Sequence, residues 1–256
     1  FPLGDERLTG FLTPRVGRSS NSGLDIAVPW YWNAAPNFDA TLTPRLLQDR
    51  GTQLQSEWRW LGPAGHWRLN NEYLPDDDLT GEDRVLTSIE QHGDFGNWST
   101  DIDAERVSDP EYFEDLSTRL SLSSQTHLRQ RADLNWNGNA GRFRLRADRY
   151  QTLDQTIAPA NRPYERMPQM TFRTGDDRGA LQTDLDTELV HFEREANDPN
   201  ATRLRATPAA TWAAETPGWF VRPRLAIDHT SYRLGQVDPS QRQEISRTLP
   251  IPSLDT

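Results

Sequence analysis

Residues Val28–Arg45 read VPWYWNAAPNFDATLTPR, and the pattern of this stretch recurs along the chain. Two apolar runs with strand-like alternation flank the break NAAPN at Asn33–Asn37, which is typical of two β-strands joined by a tight turn. Pro29 lies inside the first run, although proline cannot donate a ladder hydrogen bond. The first run is therefore predicted to be an edge strand or a strand that is meant to open.

A period of two residues continues through most of the 256 residues. From Leu120 to Trp136 the even positions are mostly apolar, whereas the odd positions from His127 to Asn137 are His, Arg, Asp or Asn. Only Pro110–Leu116 (PEYFEDL) predicts a short helical turn. The pattern predicts about thirteen antiparallel strands, each with one apolar and one charged face.

The composition narrows the class of protein. Only 34% of residues are hydrophobic and the mean hydropathy is −0.82, yet nine Trp, nine Phe and six Tyr are too many aromatic residues for a disordered chain. The formal charge of −10 argues against a nucleic-acid binder. The absence of cysteine excludes disulfides and thiolate metal sites. No apolar run reaches the roughly 18 residues of a transmembrane helix, and Phe1–Asp5 does not begin a signal peptide, so an exported chain would be processed or a fragment.

Strands with one wet face form either a soluble sandwich with the apolar face inside or an outer-membrane barrel with that face towards lipid. The lengths of the connections separate the two, because such a barrel has short turns at one rim and longer loops at the other. The predicted short turns are Asn33–Asn37, Gly62–Gly65, His92–Asn97, Asn137–Gly141, Gly175–Gly179 and Glu215–Gly218. The connections between them are Gly17–Gly23, Gln48–Gly51, Pro75–Asp83, Val107–Leu116, Leu153–Tyr164, Glu195–Thr202 and Leu234–Glu244, most of which are longer.

All nine tryptophans lie within a few residues of the short turns. They are Trp30, Trp32, Trp58, Trp60, Trp67, Trp98, Trp136, Trp212 and Trp219. Indole rings favour the headgroup level of a bilayer, so this placement predicts an aromatic belt at one rim. The alternative is that tryptophan caps hairpins in a soluble fold. We predict an all-β, antiparallel, transmembrane outer-membrane β-barrel.

Four stretches resemble the LptD family of lipopolysaccharide-assembly proteins. They are VPWYWNAAPNFDATLTPRLL from Val28, FPLGDERLTGF from Phe1 with Pro14 just after it, DPEYFEDLSTRLS from Asp109, and YERMPQM from Tyr164. The resemblance spans residues 1–256 and implies a single domain, the first half of a barrel of about 26 strands in the Gram-negative outer membrane. It also implies that the remaining strands and a periplasmic jelly-roll domain lie outside this chain. Implied partners are lipopolysaccharide, the plug lipoprotein LptE in the lumen, and an LptA-like periplasmic bridge that docks on the jelly-roll domain.

The resemblance further implies a lateral gate between the first and last strands, weakened by prolines at Pro14 and Pro29. Each proline removes one hydrogen-bond donor, and an unpaired amide near lipid costs about 2–7 kcal/mol. A seam that is already short of bonds therefore opens at a lower cost than an intact ladder. Without the resemblance, these prolines would mark bulges or strand starts.

Catalytic and metal motifs are not evident. The five histidines are scattered, with no HExxH and no Gly-x-Ser-x-Gly. The run Asp76–Gly81 imitates the start of an EF-hand loop, but its twelfth position is Thr87 instead of Glu, which predicts a solvated acidic loop. We predict no enzymatic activity, no metal site and no cofactor.

Arg142, Arg144 and Arg146 form a basic strip on one face of a strand, which in a barrel would line the lumen. The strip could meet lipid phosphates or the plug, or could simply be solvated. Three further classes remain open: a passive porin, a barrel enzyme, and a soluble carbohydrate-binding β-sandwich. A barrel enzyme would need a histidine with a Ser or Asp partner at one rim, and a sandwich would not need detergent.

Overall fold

The structure, a computed structural model, describes residues 7–116, 125–194, 200–235 and 243–256. The described residues are almost entirely β, and the assigned strand pairs are antiparallel, which confirms the predicted fold class. The seventeen strands are β1 Gly10–Phe11, β2 Arg15–Ser19, β3 Gly23–Ala27, β4 Trp30–Ala35, β5 Phe38–Leu47, β6 Gly51–Gly62, β7 Gly65–Leu74, β8 Arg84–Phe95, β9 Trp98–Val107, β10 His127–Gly138, β11 Gly141–Thr152, β12 Glu165–Asp176, β13 Leu181–Glu193, β14 Ala201–Trp212, β15 Ala214–Thr216, β16 Trp219–Leu234 and β17 Glu244–Asp255.

The described helices are short. They are α1, Tyr112–Leu116, and a 3₁₀ turn, Pro159–Asn161. The helical turn predicted at Pro110–Leu116 is thus confirmed. Among the residues that the structure describes, no helix is long and apolar enough to cross a membrane.

Over its described ranges the chain has more strands than predicted, because several predicted strands are divided. The first two are each interrupted at a proline, between β1 and β2 and between β3 and β4. The strand that contains Trp212 is interrupted at Ala213, between β14 and β15. The predicted strand from Leu120 begins at His127, and the part of that prediction at 120–124 lies outside the described residues.

The predicted short turns are confirmed as the tight connections between strands. For example, β4 ends at Ala35 and β5 starts at Phe38, while β6 ends at Gly62 and β7 starts at Gly65. We call the ends of the strands at these turns the short-turn ends. The other ends, where residues such as 75–83 connect β7 to β8, are called the long-loop ends.

The chain divides into two compact units. Unit 1 comprises Phe1–Asp94, Thr100–Gln130 and Tyr150–Ile157, and unit 2 comprises Phe95–Ser99, Arg131–Arg149 and Ala158–Thr256. In unit 1, strands β4 to β8 pair in chain order, β1 pairs with β4, and β3 pairs with both β2 and β5. In unit 2, β11 to β14 pair in chain order, and β16 pairs with β14, β15 and β17.

The register of unit 1 separates an apolar face from a polar face. Trp60 lies directly opposite Trp67, and the next pair along the two strands is Arg59 and Arg68. Because side chains alternate between the faces of a sheet, the tryptophans share one face and the arginines share the other. The alternation predicted from the sequence is therefore present in three dimensions.

A small apolar core covers the polar face of unit 1 at its long-loop end. Tyr112, Phe113 and Leu116 of α1 are buried there against strand residues that include Leu47 and Leu74. The other members of this core are Leu86, Val107, Leu128 and Leu153. The helical turn thus buries its apolar side chains where the strand faces themselves become apolar.

Candidate functional site

Pro14 and Pro29 lie in the two strand interruptions. Leu12, Thr13 and Pro14 separate β1 from β2, whereas only Val28 and Pro29 separate β3 from β4. Phe11 is opposite Trp30 on one side of the interruption, and Arg15 is opposite Ala27 on the other side. Three residues therefore face two, which is the residue count of a β-bulge. The structure brings the two predicted prolines into one local break.

The ladder inside this break is incomplete. The backbone N–H of Leu12 donates to the carbonyl oxygen of Pro29 at 2.9 Å. In an antiparallel ladder, a hydrogen-bonded pair normally exchanges two bonds. Pro29 has no N–H to return, so Leu12 and Pro29 share one bond where other residues would share two.

The break borders a cavity on the polar face of unit 1. This cavity has a volume of about 830 Å³, and its lining includes Leu12 and Pro29 together with Arg45, Glu72 and Tyr112. Residues of β2 also line this cavity. The hairpin formed by β1–β2 and β3–β4, which contains the break, therefore lines this polar cavity.

Arg45 of β5 joins the neighbouring hairpin and α1 to the sheet. Its guanidinium donates to Asp25 of β3 from Nε at 3.0 Å and from Nη2 at 2.8 Å. Its Nη1 donates to Gln53 at 3.0 Å and to the carbonyl oxygen of Leu116 at 2.9 Å. Arg45 is only 4% exposed, so these charge-assisted bonds form largely out of water.

Arg50 ties the long-loop connections of unit 1 together. Its Nε donates to the carbonyl oxygen of Asn21 at 2.6 Å, and its Nη1 and Nη2 pair with Asp77 at 2.7 Å and Asp115 at 3.0 Å. The amide of Asn21 in turn donates to the carbonyl oxygen of Glu114 at 3.0 Å. One buried guanidinium thus contacts the loop after β2, the loop before β8 and helix α1.

The prediction of a solvated acidic loop at Asp76–Gly81 is wrong for Asp77, which is fully buried. Asp77 accepts hydrogen bonds from Arg50, Arg84 and the N–H of Leu79. Burial opposes its ionisation, but the bonds from Leu79 and Arg50 outweigh that effect and lower the pKa of Asp77. The carboxylate is an internal counter-ion for two arginines.

Arg84 and Tyr112 complete this anchoring. Arg84 pairs with Asp109 at 2.5 Å and with Asp115 at 2.7 Å. The hydroxyl of Tyr112 donates to Glu72 at 2.9 Å and lies 3.0 Å from the donating amide of Gln53. Burial, and then the nearby Glu72 carboxylate, raise the pKa of Tyr112, so the phenol stays protonated and donates.

The tryptophans lie where the sequence predicts, close to short turns. In unit 1, Trp32 meets the ring of Phe38 edge-on with centroids 6.2 Å apart, and Phe38 stacks on Trp58 at 6.1 Å. In unit 2, the centroids of Trp98 and Trp136 are 6.4 Å apart. Trp212 and Trp219, which flank the turn after β15, are 59% and 56% exposed. Whether these rings form a lipid belt stays a prediction.

The basic strip on β11 is only partly neutralised. Arg146 pairs with Asp133 at 2.8 Å, whereas Arg144 donates to the side chain of Asn135, also at 2.8 Å. Arg142 lies directly opposite Arg173, a like-charged cross-strand pair. Within the described part of the chain, neither Arg142 nor Arg144 has a carboxylate partner. The cationic character of the strip is therefore concentrated at the short-turn end of β11.

No group of three or more His, Asp or Glu side chains among the described residues could hold a metal ion. His66 and His92 lie side by side on neighbouring strands, with ring centroids 5.9 Å apart. His92 also contacts Asp94 at 3.3 Å and Asp101 at 3.5 Å, and all of these side chains are substantially exposed. These contacts are made in water on the surface of the strands.

Sequence reasoning missed the buried arginines, Arg45, Arg50 and Arg84. Only the positions of these arginines in the sequence could have indicated their role. Arg45 occupies the polar face of a strand, and Arg50 directly precedes Gly51 in a connection of three residues. Neither position reveals its carboxylate partners, because those partners lie on another strand for Arg45 and on another connection and helix α1 for Arg50.

The antiparallel strands with one aromatic and one charged face, short turns at one end and longer loops at the other define an all-β chain of the type found in outer-membrane barrels. A family profile described as LPS transport system D, LptD, matches residues 82–256. The chain belongs to the LptD family.

Curated relatives support this relation over the whole chain. LPS-assembly proteins LptD from Nitrosococcus oceani, Chromobacterium violaceum and Bordetella pertussis are 39%, 37% and 35% identical to it, each over 100% of this chain. These alignments cover 35%, 33% and 34% of the respective relatives, so the chain spans about a third of their length. The relatives are named as assembly proteins and not as enzymes.

Proposed function

We propose that this chain forms part of the wall of an outer-membrane β-barrel that delivers lipopolysaccharide to the outer leaflet. The relatives' names supply the substrate class, since each is an LPS-assembly protein. In this proposal the apolar face of the strands meets lipid and the polar face lines the lumen. The family relation favours this function over a passive porin and over a soluble carbohydrate-binding sandwich.

The proposed exit is a lateral gate between the first and last strands of the complete barrel. The observation that carries it is the break at Pro14 and Pro29, where Leu12 and Pro29 share one ladder bond. The break borders a polar cavity that is lined by residues of β2 as well as by Leu12 and Pro29. A lipid with a sugar headgroup needs such a passage, because its acyl chains and its headgroup require different surroundings during transfer.

The test is the double substitution Pro14→Ala and Pro29→Ala in the full-length protein. Each alanine supplies an N–H, and a ladder bond contributes about 1 kcal/mol net, so opening should become about 10-fold or more rarer. We expect newly made lipopolysaccharide to reach the cell surface more slowly, at an unchanged amount of folded protein. Unchanged export would contradict the gate.

The other predicted residues take roles that fit this scheme. The nine tryptophans would form the aromatic belt at the short-turn rim, which faces the periplasm in an outer-membrane barrel. Arg142 and Arg144 would meet anionic groups in the lumen, either the phosphates of lipopolysaccharide or carboxylates of the plug lipoprotein LptE. A periplasmic bridge of the LptA type would deliver the lipid to a domain outside this chain.

A double substitution separates the two anionic partners of the basic strip. If Arg142→Gln with Arg144→Gln lowers the amount of LptE that co-purifies, the strip contacts the plug. If export slows while LptE is retained, the strip contacts the lipid. Arg178→Gln is the matched control, because Arg178 is exposed and pairs within its own turn with Asp176.

A further inference from the structure

Pro44 lies at the same level as Pro29 on the next strand. We call β1 with β2, β3 with β4, and β5 the first, second and third strands of the sheet, and the first two together the first hairpin. Val28 of the second strand is opposite Pro44 of the third, since Trp30 pairs with Leu42 and Ala27 with Arg45. The N–H of Val28 donates to the carbonyl oxygen of Pro44 at 3.1 Å. Pro44 cannot return a bond, so this pair is also joined once where two bonds are normal.

The two one-bond pairs meet at a single step of the backbone. Val28 faces β5 and Pro29 faces the first strand, because successive residues of a strand direct their N–H and C=O groups to opposite sides. At the Val28–Pro29 step, the second strand is therefore held by one bond on each side. The carbonyl oxygens of Leu12 and Val28 each face a proline nitrogen that has no hydrogen.

The line of weakened pairs ends at β5. Pro44 does not interrupt this strand, which runs unbroken from Phe38 to Leu47, and its pairing with β6 continues through Pro44 and Leu54 without a register shift. A proline is tolerated here because its nitrogen points towards the first hairpin and not towards β6. The ladder between β5 and β6 is thus continuous, and the missing donor of Pro44 lies on the side of β5 that faces the first hairpin.

The two sides of the weak line are held differently. On the long-loop side, Arg45 clamps Asp25 of β3. On the short-turn side, the N–H of Asn33 donates to Thr9 Oγ1 at 3.0 Å and its amide donates to the carbonyl oxygen of Arg7 at 2.8 Å. Side-chain bonds thus reinforce the strands on both sides of the prolines, at whose level the ladder itself lacks donors.

We propose that Pro44 is a positioning residue of the gate: together with Pro29 it forms a crease across the first three strands, along which the first hairpin bends against β5. This inference rests on the proposed function for its consequence in transport. The gate then has a hinge between the first hairpin and β5, in addition to the seam between the first and last strands of the barrel. Adding a donor at position 44 should stiffen the hinge while leaving Pro14 and Pro29 unchanged.

The experiment compares Pro44→Ala with Pro14→Ala/Pro29→Ala in the full-length protein, with amide hydrogen exchange and the rate of lipopolysaccharide export as readouts. We expect the new amide at position 44 to be protected and exchange at Val28 to slow. We also expect export to fall by about 2- to 10-fold, the equivalent of one ladder bond. Pro44→Val, which suits a strand, replaces the alanine variant if that variant does not fold.

Pro208→Ala is the matched control. Pro208 lies inside β14 in unit 2, and the register between β14 and β16 skips Thr207 and Pro208. Its substitution also adds a donor to a strand but lies outside the first hairpin, so export should not change. Slow export in the Pro14/Pro29 double variant with normal export in both Pro44 variants would overturn the inference and leave the gate standing. Normal export in all of them would overturn both.

Discussion

Arg45 and Asp25 are joined by two nearly parallel hydrogen bonds across the joint between β3 and β5, one residue away from Pro44. The side chain of Arg45 is 5% exposed and that of Asp25 is 16% exposed. A planar guanidinium that meets a carboxylate in this way fixes orientation as well as distance. The joint that lacks a backbone donor at Pro44 is therefore reinforced by side chains immediately beside it.

Arg45→Met should destabilise unit 1. The substitution retains most of the side-chain volume but leaves Asp25, Gln53 and the carbonyl oxygen of Leu116 without their donor. Breaking a buried pair by removing one partner costs about 3–5 kcal/mol. The midpoint of thermal unfolding, followed on gels that separate folded from unfolded barrels, should fall. The exposed Arg178→Met is the control and should leave the midpoint unchanged, and equal midpoints for both variants would contradict the anchoring role.

Acidification should loosen the long-loop end of unit 1 through Asp77. Hydrogen bonds from Leu79 and Arg50 outweigh burial and hold the pKa of Asp77 below its ordinary 3.8. A carboxylate with a lowered folded-state pKa stabilises the fold fully above its unfolded pKa, and this contribution disappears as the pH falls through the folded value. Thermal unfolding midpoints should therefore drop on acidification below about pH 4.

The matched variant for this prediction is Asp77→Asn, which keeps the shape of the side chain but does not titrate. It should be less stable than the parent at neutral pH, because Arg50 and Arg84 lose their buried counter-ion. It should also lose less stability than the parent on acidification. Parallel pH profiles for the two proteins would show that Asp77 is not the responsible group.

Gly138 is required by Trp136. A Cβ atom at position 138 would overlap the indole ring of Trp136, two residues earlier on β10, and Gly62 has a similar relation to Trp60, with Cη2 at 2.8 Å from the added atom. Gly138→Ala should force the indole out of its position at a cost of about 1–3 kcal/mol. Thermal unfolding measures this cost.

Gly218→Ala provides the comparison, because nothing lies within 4 Å of a Cβ atom built there. Replacing a glycine by alanine without strain is neutral or slightly stabilising. If the Gly138 and Gly218 variants unfold at the same temperature, the position of the Trp136 indole does not require a glycine at position 138.

The strands and turns could be predicted because they depend on local patterns. Alternation over five to ten residues and tight glycine-rich or proline-rich breaks are visible in the sequence itself, and Pro14 and Pro29 stand out because a strand does not tolerate them easily. The helical turn at Pro110–Leu116 was equally local. These predictions needed no knowledge of which connections meet in space.

The buried charges could not be predicted in this way. Asp77 sits in an acidic run that favours a solvated loop, and its partner Arg50 is 27 residues away on another connection. Pro44 attracts no notice in the sequence, because β5 continues through it without interruption. The ladder bond that Pro44 omits is evident only in the structure, where Val28 lies opposite it. Interactions between connections depend on register, and register follows from the assembled sheet.

The most direct test of the central claim is site-specific photocrosslinking to lipopolysaccharide in living cells. A photoreactive residue is placed in turn at positions from Leu12 to Pro29 and, for comparison, at Leu185 and Leu189 on the apolar face of β13 in unit 2. We predict that positions beside the prolines label lipopolysaccharide during export, that the comparison positions do not, and that Pro14→Ala/Pro29→Ala reduces the labelling. Equal labelling of both sets of positions, or labelling that the proline substitutions do not change, would contradict a gate at these strands.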